Sequence, residues 1–105
     1  MPHHLPMEKI DAIAALEKAE QLVSGFGVAD ADALRAIRAI VSQFRSSHFL
    51  EDLYFDEKLR ELENWSTVGF STRRFESHGG VEHVKGFALA AVQTTKDLIE
   101  QRWPA

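Results

Sequence analysis

The sequence predicts an all-α fold, a single-domain antiparallel bundle of four main helices with an irregular or broken third helix. Apolar residues recur every three or four positions along most of the chain, which is the period of a helix with one buried face. Glycines at 25, 27, 79 and 80 separate the periodic stretches. The 105 residues are 45% apolar and include no cysteine, so one core must form without disulfides. We expect one helical domain over 1–105, with a flexible N-terminus over 1–6.

The first two helices are predicted from clear apolar stripes. The first spans residues 7–24 and ends at the glycine-containing segment 24–27. Its apolar face contains Ile13, Leu16, Ala19 and Val23. Asp30 or Asp32 is expected to cap the second helix, since a short carboxylate accepts hydrogen bonds from first-turn N–H groups. The stripe of the second helix contains Leu34, Ile37, Ile40, Val41 and Phe44.

The third helical region changes its apolar phase. Residues 49, 50 and 53 point one way on a helical wheel, whereas residues 55, 59 and 62 point almost opposite. We expect a short helix to break at Tyr54–Asp56 and a new helix to start with Asp56 as its cap. After Asn64 the pattern fits a helix or a strand, and Gly69 weakens the helical interpretation. A lone strand would have no pairing partner, so helix or irregular loop is favoured over 64–78.

The last helix is predicted over residues 81–103, between Gly79–Gly80 and Pro104. Phe87 and Leu98 are expected to widen one edge of its buried face. The core stripe contains Val81, Val84, Ala88, Ala91, Val92, Thr95 and Ile99. Short connections between four such helices favour an antiparallel bundle.

The negative charge is concentrated in one segment. Residues 51–63 hold six of the 16 acidic side chains but only two of the 12 basic ones, so they carry the whole formal charge of −4. An acidic chain without a lysine or arginine cluster is a poor match for a phosphate backbone, and we expect no DNA binding. Arg35, Arg38 and Arg45 on the second helix could neutralise the acids, provided that the two helices are neighbours.

A protein-contact surface is the functional expectation for this segment. Unpaired carboxylates beside exposed aromatic rings would attract a basic protein partner and then hold it. The candidate partner-binding residues are Asp52, Tyr54, Phe55, Asp56 and Glu63. Apolar residues off the main stripes, among them Phe70 and Leu89, make a homodimer a further expectation. The predicted function is a small acidic helical interaction module of the regulatory, adaptor or inhibitor type, without catalytic activity.

An enzymatic alternative comes from Arg73 and His78, which are separated by four residues and followed by Gly79. This spacing resembles the R-x4-6-H motif of HEPN ribonucleases, small helical bundles that dimerise. The resemblance implies metal-independent RNA cleavage across a homodimer, in which the histidine moves the proton of the ribose 2′-hydroxyl and the arginine holds the phosphate. Arg74 stands where that family usually has a small polar residue after the arginine.

Cofactors, metals and membranes are not expected. His78, Glu82 and His83 are close in sequence, but no pair of ligands has the spacing that one helix face needs for a metal. The longest apolar run, Phe87 to Val92, has six residues, against the roughly 20 that a bilayer requires. The expected location is cytoplasmic.

Overall fold

The computed structural model describes residues 8–27, 29–47, 53–71, 75 and 79–103. Four helices lie within these ranges: α1 (Lys9–Val23), α2 (Ala31–Ser47), α3 (Leu53–Ser71) and α4 (Val81–Arg102). Each helix packs against the next in chain order, and α1 also packs against α4, so the helices form a closed ring around one core. The predicted all-α four-helix bundle is confirmed. None of the described helices combines the length and apolarity needed to cross a membrane.

Helix α1 begins after Glu8, whose backbone is extended, and ends at Val23, with Ser24 as its C-cap. The Ser24 backbone N–H donates to the Gln21 carbonyl at 3.2 Å, which closes the last turn. Its buried residues are Ala12, Leu16, Ala19 and Val23. Ile13, expected on the buried face, is only half-buried, because Ala12 takes the place nearest the core. The predicted N-terminal segment 1–6 lies outside the described residues.

Helix α2 is capped by Asp30, one of the two predicted caps. Its Oδ1 accepts hydrogen bonds from the backbone N–H groups of Asp32 at 3.1 Å and Ala33 at 3.0 Å. These bonds satisfy two of the donors that a helix N-terminus leaves free. All five predicted stripe residues of α2 are buried. The ring of Phe44 meets that of Phe55 on α3, with centroids 5.7 Å apart.

Helix α3 begins at Leu53, one turn before the expected cap. Asp56 therefore lies in the first turn and is not the cap. Leu53 is 91% exposed and Phe55 only 3% exposed. The helix nevertheless runs without interruption from Leu53 to Ser71, so the expected break at Tyr54–Asp56 is wrong. The phase change lies within the first turn of α3. Residues 49 and 50 lie outside the described part of the chain. From 64 to 71 the chain is helical, as favoured over a strand.

Gly69 lets the loop between α1 and α2 lie directly on α3. A Cβ at Gly69 would come within 2.6 Å of the Phe26 ring, and Phe26 also packs edge-on against Phe70 at 4.9 Å. The Gly27 N–H donates to the Gly69 carbonyl at 3.4 Å, and the Asp30 N–H to the Phe70 carbonyl at 3.2 Å. The loop thus caps carbonyls at the end of α3 and covers Phe70, which had looked misplaced on its helix.

Helix α4 follows two glycines with positive φ, Gly79 at +89° and Gly80 at +94°. This left-handed backbone favours glycine. The predicted start of the last helix directly after Gly79–Gly80 is confirmed. The core stripe of α4 is buried except for Val81, which is half-buried. Leu98 is buried as expected, but Phe87 is 45% exposed. Phe87 therefore faces outward and does not widen the core.

Candidate functional site

Arg45 on α2 reaches the acidic residues of α3. Its Nε lies 3.1 Å from Asp56 Oδ1, and one terminal nitrogen lies 3.8 Å from Glu63 Oε1. Arg38 adds a longer contact, with its Nε 4.0 Å from Glu63. The basic flank of α2 and the acidic segment of α3 are therefore neighbours. Two acids of the segment, Asp56 and Glu63, are thereby paired with bases of α2.

Asp56 is also paired along α3 itself, and so is a further acid of this segment, Glu61. Arg60 lies 3.1 Å from Asp56, and the Lys58 ammonium lies 2.7 Å from Glu61. The hydrogen bond that Lys58 donates to the Glu61 carboxylate raises the pKa of Lys58 above its ordinary value. Arg35, the third expected base of α2, pairs with Asp32 on its own helix. Exposed pairs of this kind contribute little stability, and they leave less free charge for a partner.

The predicted contact residues do not form one exposed surface. Phe55 is buried against Phe44 in the core, since it falls on the inner side of α3. Tyr54 is 46% exposed, and the Lys58 ammonium lies 5.2 Å from its ring centre. Asp56 and Glu63 meet at Arg45, and Asp52 lies outside the described residues. Phe55 is not available as an aromatic anchor at the surface.

The residues of the ribonuclease alternative, Arg73 and His78, also lie outside the described ranges. That alternative stays a prediction. Among the described residues, no group of three or more histidine, aspartate or glutamate side chains is placed to hold a metal ion.

A different surface is built around Phe87 on the outer side of α4. The Phe87 ring stacks on Trp65 of α3, with centroids 5.0 Å apart and planes 10° apart. His83, one turn earlier, meets the same ring edge-on at 4.5 Å and 84°. A Cβ at Gly79 would lie 2.7 Å from the His83 ring. The His83 ring can adopt its position because residue 79 has no side chain. Phe87 thus contacts aromatic rings on two sides although it is half exposed.

A shallow open depression of about 340 Å³ lies beside these rings. Its lining residues all come from α4 and are Glu82, His83, Gly86, Phe87 and Ala90. We call these five residues together with Trp65 the α4 patch. The volume is at the lower end of the range of about 300–1,000 Å³ for ligand pockets. An open depression of this size suits one or two side chains of another protein.

Gly86 lines this depression, and packing within the described part of the chain does not require a glycine there. Among the residues that the structure describes, no atom of another element lies within 4 Å of the position that a Cβ would take there. Glycine inside a helix costs about 1 kcal/mol relative to alanine. At Gly69 and Gly79 a ring occupies the space of the missing side chain, whereas at Gly86 that space is open. The sequence signal that could have indicated the patch is this mid-helix glycine directly before an aromatic residue.

Comparisons with known proteins add no assignment to this geometry. The fold places the chain in the broad class of all-α four-helix bundles. No family model matches the chain, and neither the curated proteins nor the solved structures contain a match. The function must therefore be argued from the residues of the site.

Proposed function

We propose that this protein is a non-catalytic interaction module, of the regulatory, adaptor or inhibitor type, that binds a protein partner through the α4 patch. The observation that carries the proposal is Phe87, a large apolar ring that is 45% exposed, stacked on Trp65 and next to a depression. Aromatic side chains at the centre of a contact surface supply much of the binding energy of protein interfaces.

The arrangement favours binding because the ring is already ordered. Trp65 supports one face of Phe87 and His83 meets it edge-on, so a partner would not need to fix this side chain on binding. Preorganisation of this kind lowers the entropic cost of association. The adjacent depression at Gly86 can then accept an apolar side chain from the partner.

The α4 patch is better suited to this role than the acidic segment 51–63. The charges of Asp56 and Glu63 are engaged by Arg45, and Phe55 lies in the core. Tyr54 is the exposed aromatic residue of that segment, and Lys58 lies near its ring. The acidic segment would influence the approach of a partner through its field more than through direct contact.

The test is a comparison of partner capture by three forms of the full chain. Gly86→Glu fills the depression with a charged side chain, and the open space at this position lets the helix keep its fold. Ala39→Glu makes a similar change on an exposed position of α2 and serves as the control. We expect cross-linking in a lysate of the source cells to give the same partner with wild type and Ala39→Glu, and to lose it with Gly86→Glu. Capture that is equal for all three forms, or no specific capture by wild type, would refute the proposal.

A further inference from the structure

We propose that the element that binds the α4 patch is a positively charged amphipathic helix of the partner protein. This inference rests on the proposed function and adds the chemistry of the partner. It follows from the shape of the patch and from the direction in which the charged side chains of α4 point.

The shape of the patch fits a helix. Its α4 residues lie at 82, 83, 86, 87 and 90, so the depression follows one side of α4 for about two turns. Gly86 and Ala90 contribute the smallest residues of its lining, and Phe87 contributes a large, half-exposed ring. When two helices pack, ridges of side chains on one helix fit into the grooves between side-chain rows on the other, at interaxial distances of about 8–10 Å. A partner helix could place apolar side chains one turn apart into this groove.

The charges at the rim point to a basic partner. The Glu82 side chain is 84% exposed at the end of the depression, and its contact with Lys85 is long, at 3.8 Å. The Lys85 side chain is only 24% exposed. A charge pair this exposed stabilises the chain little, so Glu82 can pair with a base from outside.

Further along α4, the lysine is again mostly covered and the acids are again exposed. The Lys96 side chain is 19% exposed and lies 3.9 Å from Glu20 of α1. Asp97 and Glu100 are exposed on the outer side of the helix. Two lysines of α4 are thus mostly covered, while its three acids, Glu82, Asp97 and Glu100, are exposed. Glu100 also contacts Lys9 of α1 at 3.2 Å, and Asp97 accepts a hydrogen bond from Gln93 at 2.9 Å. Complementary charge would speed the encounter with a basic helix and disfavour acidic competitors.

The same charges argue against two other occupants. A second copy of this chain would bring its own acidic outer surface of α4 against this one, and like charges across an interface are unfavourable. A nucleic acid would bring phosphates to an acidic surface that lacks the bases needed to hold them.

The test lets the protein select its own ligand. The full chain is immobilised and screened against a displayed library of helical peptides of about 20 residues, long enough to form a helix, with the outward positions randomised. We expect the enriched peptides to carry net positive charge and apolar pairs spaced three or four residues apart. Binding is then measured from Trp65 fluorescence in a Trp103→Phe background, because Trp65 contacts Phe87 in the patch.

Three variants test which features of the patch the peptides use: two reverse a charge, and one fills the groove. Glu82→Lys should weaken binding of the enriched peptides about tenfold, whereas Glu17→Lys, the same change on exposed α1, should leave it within about twofold. Gly86→Leu should abolish binding by filling the groove. Thermal unfolding of each variant checks that the bundle is intact.

The outcomes separate this inference from the proposed function. Enriched peptides without a positive bias, or no enrichment at all, overturn the basic helix, while capture that depends on Gly86 would still support an interaction module. Peptides that bind Gly86→Leu as well as wild type overturn the use of the groove. Sedimentation that shows a dimer lost in Gly86→Glu would make a second copy the occupant and overturn the inference.

Discussion

Replacing Gly69 by alanine should destabilise this bundle, although alanine is the better helix former. The change gains about 1 kcal/mol of helix propensity. Against this, the new methyl group would lie 2.6 Å from three atoms of the Phe26 ring. The ring cannot move freely, because it packs on Phe70 at 4.9 Å and its loop donates hydrogen bonds to carbonyls of α3. Overpacking costs about 1–3 kcal/mol, and we expect a net loss of about 1 kcal/mol.

The sign of this effect should reverse when the ring is removed. Phe26→Ala alone should cost about 3–5 kcal/mol, because the buried ring is lost. In that background Gly69→Ala meets no ring and should stabilise by about 1 kcal/mol. If the Phe26→Ala background does not fold, Phe26→Leu supplies a smaller side chain at the same position. The double-mutant cycle then measures the coupling between ring and glycine at about 2 kcal/mol.

Urea unfolding followed by circular dichroism and tryptophan fluorescence provides the four free energies. Gly86→Ala is the matched control, since it is the same change in a helix with open space around it. It should stabilise by about 1 kcal/mol with or without Phe26. The reasoning is refuted if Gly69→Ala stabilises the wild-type chain as much as it stabilises the Phe26→Ala chain.

Four further expectations follow from the core, the charges and the ribonuclease alternative. Phe44→Ala should cost about 3–5 kcal/mol in urea unfolding, because Phe44 is 3% exposed; a change of a few tenths would contradict the buried stripe. Ser66→Ala should raise the free energy of unfolding by about 1 kcal/mol, since the buried Ser66 hydroxyl has no hydrogen-bond partner among the described residues; a loss of stability would show that the hydroxyl does have a partner. Arg45→Ala should cost less than about 1 kcal/mol, and less still at high salt, because its carboxylate partners are partly exposed; a larger, salt-independent cost would show that the contact is mainly packing. A non-catalytic module should leave single-stranded RNA intact, whereas metal-free cleavage that His78→Ala abolishes would support the ribonuclease.

The parts of the fold that the sequence predicts best are those with one buried face. Helix α2 buries a single stripe, so Ile37, Ile40 and Phe44 could be assigned from their spacing alone. Helix α3 packs against α2, α4 and the loop that carries Phe26, so its apolar residues cover more than one side. Phe70 and Gly69 look anomalous on a helical wheel, because the ring that explains them comes from a loop distant in sequence.

The candidate site was harder to predict, because it depends on which helices are neighbours. The sequence left open whether the acids of α3 are paired with the arginines of α2, and Arg45 pairs with two of them because α2 packs beside α3. Phe87 fell at the edge of the apolar stripe of α4, where periodicity cannot say whether the next helix covers a ring or leaves it exposed. The stacking of Phe87 on Trp65 is a contact between two helices. The apolar pattern of a single helix carries no information about such a contact.

Gly86 connects the stability of this chain to the function proposed for it. At Gly69 and Gly79 a ring from the same molecule uses the space that glycine leaves, so the conformational cost of each glycine is offset inside the fold. At Gly86 the cost of about 1 kcal/mol relative to alanine is offset by nothing in the described structure, since no atom of another element comes within 4 Å. A helix that keeps such a residue beside a half-exposed Phe87 is less stable alone than a simple substitution could make it. Sites that must accept a partner commonly show this trade between stability and activity. The proposed partner helix would offset this cost by packing into the groove at Gly86.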